Sequence, residues 1–180
     1  MKDLEGLIEQ VRRGERVKWL HFWGHRPRPD GELSASCLSQ WWPSPFVVDG
    51  VRYATAEHWM MAAKARLFGD PEAEAAALAA PTPAQAKNAG RLVRGFDETV
   101  WERERFGIVT AGSVHKFGAD EALRAFLVGT GSRVLVEASP LDRVWGIGLA
   151  ADDPRARDPR RWRGLNLLGF ALMEARERLR

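Results

Sequence analysis

FVVDGVRYATAEHWMMAAKARLFG, residues 46–69, carries the decision about fold class. Phe46-Val47-Val48 and Val51-Arg52-Tyr53 are two β-prone runs around Asp49-Gly50, a pair that accepts the positive φ angles of a tight hairpin turn. Behind the hairpin, Thr55 is placed to cap a helix from Ala56 to about Phe68, with Gly69 ending it. Toward the C-terminus, Asp70-Pro71 and Thr82-Pro83 each set a capping side chain before a proline at the first helical position, which predicts two more short helices. Asp97 opens a longer helical stretch reaching toward Phe117, and Ala119 to Val128 reads as another, closed by Gly129. Arg133 to Glu137 is a buried strand candidate. Leu165 to Leu179 is a final helix with Leu168, Leu172, Met173 and Leu179 along one side.

Toward the N-terminus, Gly24 to Pro45 is rich in Pro, Gly and Ser and too long for an ordinary connection, a trait of functional loops. Arg16 to Trp23 alternates enough to suggest a strand. Asp3 to Arg12 sets Leu4, Leu7, Ile8 and Val11 at helical spacing. Helices dominate, and the few strands cannot all be hairpin partners. The expected class is α+β, mainly α-helical. No internal repeat is visible.

At 180 residues and 45% hydrophobic, the chain can bury one sizeable core,. The expectation is a single domain over residues 1–180, with an N-terminal helix, strand and long loop in 1–45 and the core in 46–180. Charged residues at 28% and a mean hydropathy of −0.33 exclude a disordered chain,. No apolar run approaches the roughly 18 to 20 residues of a membrane span. The first twenty residues lack the apolar region of a secretory signal. Cys37 is the single cysteine, so neither an internal disulfide nor a cysteine-based zinc site can form, and an intracellular, cytoplasmic location is expected,. Lys plus Arg exceed Asp plus Glu by 27 to 24, a net charge of +3 that is too mild to argue for duplex binding,.

Three clusters can carry chemistry. In Ala56 to Lys64, helical spacing aligns Glu57, Met60 or Met61, and Lys64 on one face. An acid and an amine then flank one apolar strip. The same residues also fit helix-dipole compensation by Glu57 and a lysine snorkelling to solvent. His58 points to another face and reads as structural. The second cluster, Glu137 to Gly148, follows a strand and contains Asp142, Trp145 and Gly146. Its glycines match neither a dinucleotide fingerprint nor a P-loop, and Trp145 suits either base stacking or core filling. The third, Asp152 to Arg163, holds Arg155, Arg157, Arg160, Arg161 and Arg163 ahead of Asn166, an amide able to cap a helix or read a sugar hydroxyl. A solvated loop is the default reading of such a charge run. The histidines are scattered without HExxH spacing, so no metal site is expected, and neither Cys37 nor any serine sits in a nucleophile elbow.

The stretches FVVDGVRYATAEHWMMAAKARLFGD, AKNAGRLVRGFDETVWERERFGIV, KFGADEALRAFLVGTGSRVLVEASPLDRVWGIGL and WRGLNLLGFALMEARERL resemble the YbiA-like family, also called the NADAR or RibX family. The resemblance covers most of the chain from Phe46 onward. It implies a compact, mainly α-helical fold and N-glycosidase activity without a cofactor. Some members cleave the bond between an amine and ribose in early riboflavin intermediates, and others remove ADP-ribose from guanine. Glu57 and Lys64 fall on the family's EHxxxxxK stretch, Asp142, Trp145 and Gly146 on its DxxWG element, and Asn166 on its NxLG element. The resemblance thus implies Glu57, Lys64 and Asp142 as catalytic and Trp145, Gly146 and Asn166 as substrate-binding, and Trp59 and Arg91 are further substrate-binding candidates. The expected partner is a small nucleotide or ribosylamine, with ADP-ribosylated guanine, or binding of ADP-ribose without turnover, as the alternatives. The chemistry is consistent, since breaking a C1′–N bond builds positive charge on the sugar that a carboxylate stabilises.

Overall fold

The computed structural model describes residues 3–180. The described residues form two compact units, one built from residues 3–39 with Ala122–Arg180, the other from Gln40–Glu121.

The second unit opens with the hairpin of β2 (Phe46–Val48) and β3 (Val51–Tyr53), paired antiparallel. Asp49 at φ 49° and Gly50 at φ 79° both take the positive angles that the Asp-Gly pair predicts,. Helix α2 (Ala56–Leu67) starts at Thr55, whose hydroxyl accepts the His58 N–H. Helices α3 (Pro71–Ala79), α4 (Pro83–Arg91) and α5 (Glu98–Gly118) begin after Asp70, Thr82 and Asp97, each of which accepts a backbone N–H in the first turn,. Helix α2 packs against α3, α4 and α5. Two glycines make this packing possible: a Cβ at Gly90 would run into Met61, and one at Gly112 into the Trp59 indole.

In the first unit, α1 (Leu4–Arg12) is capped by Asp3. Strand β1 (Trp19–Phe22) pairs in parallel with β4 (Val134–Glu137), with Trp19 opposite Val134 and Phe22 opposite Glu137. The expected strand from Arg16 is shorter, although Lys18 still accepts the Val134 N–H. Parallel partners need a long connection, and this one contains the whole second unit. The long loop includes a 3₁₀ turn over Ala35–Leu38 with Cys37 buried.

Helix α6 (Glu121–Gly129) begins two residues later than expected because Ala119 closes α5, donating its N–H to the His115 carbonyl. Helix α7 (Leu167–Leu179) packs on β4 and is buried at every residue from Leu168 to Met173. It starts after Leu165 because Asn166 takes a left-handed backbone, φ 55° and ψ 34°. No helix of the described residues is long and apolar enough to cross a membrane.

Candidate active site

Helix α2 places Glu57 in its first turn and Lys64 in its last. Seven residues separate them, so about 10 Å of helix rise divides acid from amine. Glu57 is only 2% exposed, and its N–H donates to the Gln40 carbonyl. A carboxylate this far from bulk water acts strongly on nearby positive charge.

Lys64 is half-buried, with Nζ 4.2 Å from the centre of the Phe96 ring and 5.4 Å from that of Trp101. Burial pushes the amine below its ordinary pKa, and the Glu98 carboxylate opposes that shift. Phe96, Trp101 and Glu98 were invisible to spacing on α2, because all three arrive from the α4–α5 loop and from α5. Phe96 stands outside any periodic pattern, and an aromatic between Gly95 and the capping Asp97 is the signal the sequence offered.

Trp59 lies on α2 between the two groups. Its indole N–H donates to the Ile108 carbonyl at 2.8 Å, and its ring meets Tyr53 edge-on at 5.0 Å and His115 at 5.1 Å. The Arg66 guanidinium lies 5.7 Å from the Trp59 ring and donates to the Tyr53 hydroxyl. Trp59 therefore joins α2 to α5 through a hydrogen bond and an aromatic cluster. His58 is 1% exposed, with Nδ1 against the Thr55 hydroxyl and Nε2 against the Ala80 carbonyl, a structural use. Arg91 is exposed in the last turn of α4 and donates to Asn88.

The DxxWG element and Asn166 belong to the other unit. Asp142 Oδ1 accepts the N–H groups of Val144 and Trp145 at 2.9 and 2.7 Å, which folds the loop into a tight turn,. Trp145 is half-buried, and its carbonyl accepts the Leu168 N–H. A Cβ on Gly146 would lie 2.8 Å from the Glu137 carbonyl oxygen, so glycine is required there. The Asn166 side chain is fully buried, with Oδ1 accepting the Glu137 N–H and Nδ2 donating to the Leu135 carbonyl, both at 2.9 Å. That amide latches the start of α7 to β4.

The arginine run has internal order. In Asp153-Pro154-Arg155 and again in Asp158-Pro159-Arg160, the aspartate accepts the arginine's backbone N–H and both arms of its guanidinium. The pairing holds the Asp158 carboxyl, like that of Asp153, below its ordinary range. Arg155 and Arg160 are thus committed to neighbours. Among the described residues, no three His, Cys, Asp or Glu side chains are placed to hold a metal.

The NADAR domain family model matches residues 21–180. The N-glycosidase R617 of Acanthamoeba polyphaga mimivirus is 38% identical over 168 residues, which cover 91% of this chain and 97% of that protein. The riboflavin biosynthesis protein PYRR of Zea mays is 32% identical over 138 residues, 73% of this chain and 20% of that one. The N-glycosidase YbiA of Escherichia coli K12 is 30% identical over 135 residues, 75% of this chain and 76% of YbiA. The NMR structure of E. coli YbiA superposes with a TM-score of 0.66 at 26% identity, covering 91% of this chain and 87% of that one.

Proposed function

The chain belongs to the NADAR domain family, and from that membership and the residues of α2 we propose that it is an N-glycosidase hydrolysing the C1′–N bond of small ribose-phosphate amines, early riboflavin intermediates among them. The observation that carries the reading is the pairing, on one helix, of a water-shielded carboxylate, Glu57, with an amine whose pKa is lowered by burial, Lys64. The relatives named N-glycosidases support the reaction class, and the relative named for riboflavin biosynthesis supports the substrate class.

In the reaction, the C1′–N bond breaks with its electron pair leaving on nitrogen, water adds oxygen to C1′, and the departing nitrogen takes up a proton. The Glu57 carboxylate stabilises the positive charge that builds at C1′. A lowered pKa suits Lys64 to proton transfer, or to imine formation with a ring-opened ribose, better than to a permanent phosphate clamp. In the other unit, Asp142 shapes the turn that carries Trp145 and Gly146, and the family's DxxWG element is the ground for giving the half-buried Trp145 a part in substrate binding. Commitment of Arg155 and Arg160 to their own aspartates favours a free small molecule over a nucleic-acid strand.

The test is incubation of the purified protein with a ribosylamine phosphate of the riboflavin type and with ADP-ribosylated guanosine, identifying the released amine by mass spectrometry. Release from the first at the higher kcat/KM supports the reading. Preferential release of guanosine, with ADP-ribose as the other product, overturns the substrate class but not the type of bond cleaved.

A further inference from the structure

The polypeptide between α4 and α5 is short and, apart from the buried Val93, exposed, and Arg94 anchors it. The Arg94 N–H donates to Asp70 Oδ2 at 2.9 Å, and its guanidinium grips both carboxylate oxygens of the same Asp70. Asp70 is itself 4% exposed and caps α3 through the Ala73 N–H. Immediately after this anchor, Gly95 takes φ 69°, a left-handed turn that a side chain would strain,. That turn sends the next residue, Phe96, back over α2. Its ring meets Phe68 edge-on at 5.3 Å and lies 4.2 Å from Lys64 Nζ, while Trp101 on α5 faces the same nitrogen. A phenylalanine that is 41% exposed contributes little to a core. Its placement over a single amine calls for another account.

We propose that Phe96 is a positioning residue for Lys64: held by the Asp70–Arg94 anchor, it completes with Trp101 an apolar wall that keeps water off the Lys64 nitrogen and fixes its direction. The inference rests on the role given to Lys64 above. Two physical effects of the ring oppose each other. Its π face favours the ammonium, and its bulk excludes the water an ammonium needs. Burial is the larger influence on Lys64, and part of that burial falls, on this proposal, to the Phe96 ring 4.2 Å from the nitrogen. The charged groups around the amine do not reverse this. Glu98, in the first turn of α5, pulls toward the ammonium without overcoming burial. Arg66 is engaged by Tyr53 and Glu74, and Arg94 by Asp70 and Glu72.

The experiment labels the full chain with trace acetic anhydride across a pH series and follows the Lys64 peptide by mass spectrometry, in wild type, Phe96→Ala and Phe96→Leu. The midpoint of labelling against pH is the readout, since it reports the amine's protonation and is insensitive to its accessibility. Phe96→Ala is expected to move the midpoint upward, leaving about threefold less neutral amine at pH 8 or lower still. Phe96→Leu keeps an apolar cover and is expected to stay near wild type. An unmoved midpoint in Phe96→Ala, or equal movement in both variants, overturns the proposal. The acidic limb of the turnover profile is measured in parallel. If labelling shifts and turnover does not, the positioning role stands and the catalytic role of Lys64 falls.

Discussion

The carboxylate of Asp70 accepts three hydrogen bonds from Arg94, one from the backbone and two from the guanidinium, and a fourth from the first turn of α3. One side chain thereby ties the α2–α3 corner to the loop before α5.

Those donors hold the Asp70 carboxyl well below the usual carboxylate range, the Arg94 side chain contributing most. A depressed folded-state pKa contributes stability above the unfolded pKa of about 4 and loses it as pH falls through the folded value. Asp70→Asn is therefore expected to lower Tm at pH 7 by about 3 °C or more. The gap to wild type should narrow steadily below about pH 4. Thermal melts from pH 7 to 2 check this, and a gap that stays constant assigns the loss to shape alone.

Glu57→Gln preserves size and hydrogen-bonding reach but removes the charge. Turnover on the ribosylamine substrate is expected to fall on the order of 100-fold, with an unchanged circular dichroism spectrum. A rate within a few-fold of wild type would transfer the electrostatic role to Asp142.

The accuracy of the sequence reading followed the range of the signal. Asp49-Gly50, Thr55, Asp70-Pro71, Thr82-Pro83 and Asp97 each act on chain within four residues, and the turn or helix start stands at each of them. The parallel partnership of Trp19–Phe22 with Val134–Glu137 lies far apart in sequence, and no local pattern specifies it. Glu57 and Lys64 could be aligned by helical arithmetic, but the aromatic wall around Lys64 comes from Phe96 and Trp101 on other elements. Asn166 was legible as a helix-start amide. Its left-handed backbone, and the spending of both ends of the amide on β4, depend on tertiary packing. The arginine run was legible as a charge run, but a count of charges does not reveal that Asp153 and Asp158 each hold the arginine two residues on.

Asn166→Ala strands the Leu135 carbonyl and the Glu137 N–H in a buried setting and puts an alanine at φ 55°. The expected loss is on the order of 3 kcal/mol by chemical denaturation. Asn166→Gly should recover the part due to backbone strain and leave the part due to the lost amide. If Asn166 also reads a ribose hydroxyl, KM rises in the Gly variant at temperatures where it is fully folded. An unchanged KM confines the residue to its latch.

Trp145 is half-buried at the end of a turn organised by Asp142, with its backbone fixed at both N–H and carbonyl. The peptide is thus held independently of the indole. Trp145→Phe is expected to raise KM several-fold while Tm changes little. A large fall in Tm with unaltered kinetics would make the indole a packing group.

The arginine run separates a free nucleotide from a nucleic-acid strand as substrate. Arg155 and Arg160 already satisfy Asp153 and Asp158, so engaging a phosphate would require each guanidinium to leave a bidentate partner two residues away,. Arg157 is exposed and without such a neighbouring grip among the hydrogen bonds of the run. Replacing Arg155, Arg157 and Arg160 together with glutamine should therefore change kcat/KM on the small substrate less than about threefold and leave its weak salt dependence as it was, because few phosphates are engaged. The cost should appear instead in the local fold, where Asp153 and Asp158 lose the partners that depress their pKa values. A strand substrate predicts otherwise: each lost phosphate contact lowers the slope of log affinity against log salt by roughly one unit and weakens binding to all sequences alike. Binding of single-stranded DNA across a salt series, alongside hydrolysis of the ribosylamine, decides between them. A steep loss of DNA binding with hydrolysis intact would overturn the small-molecule preference.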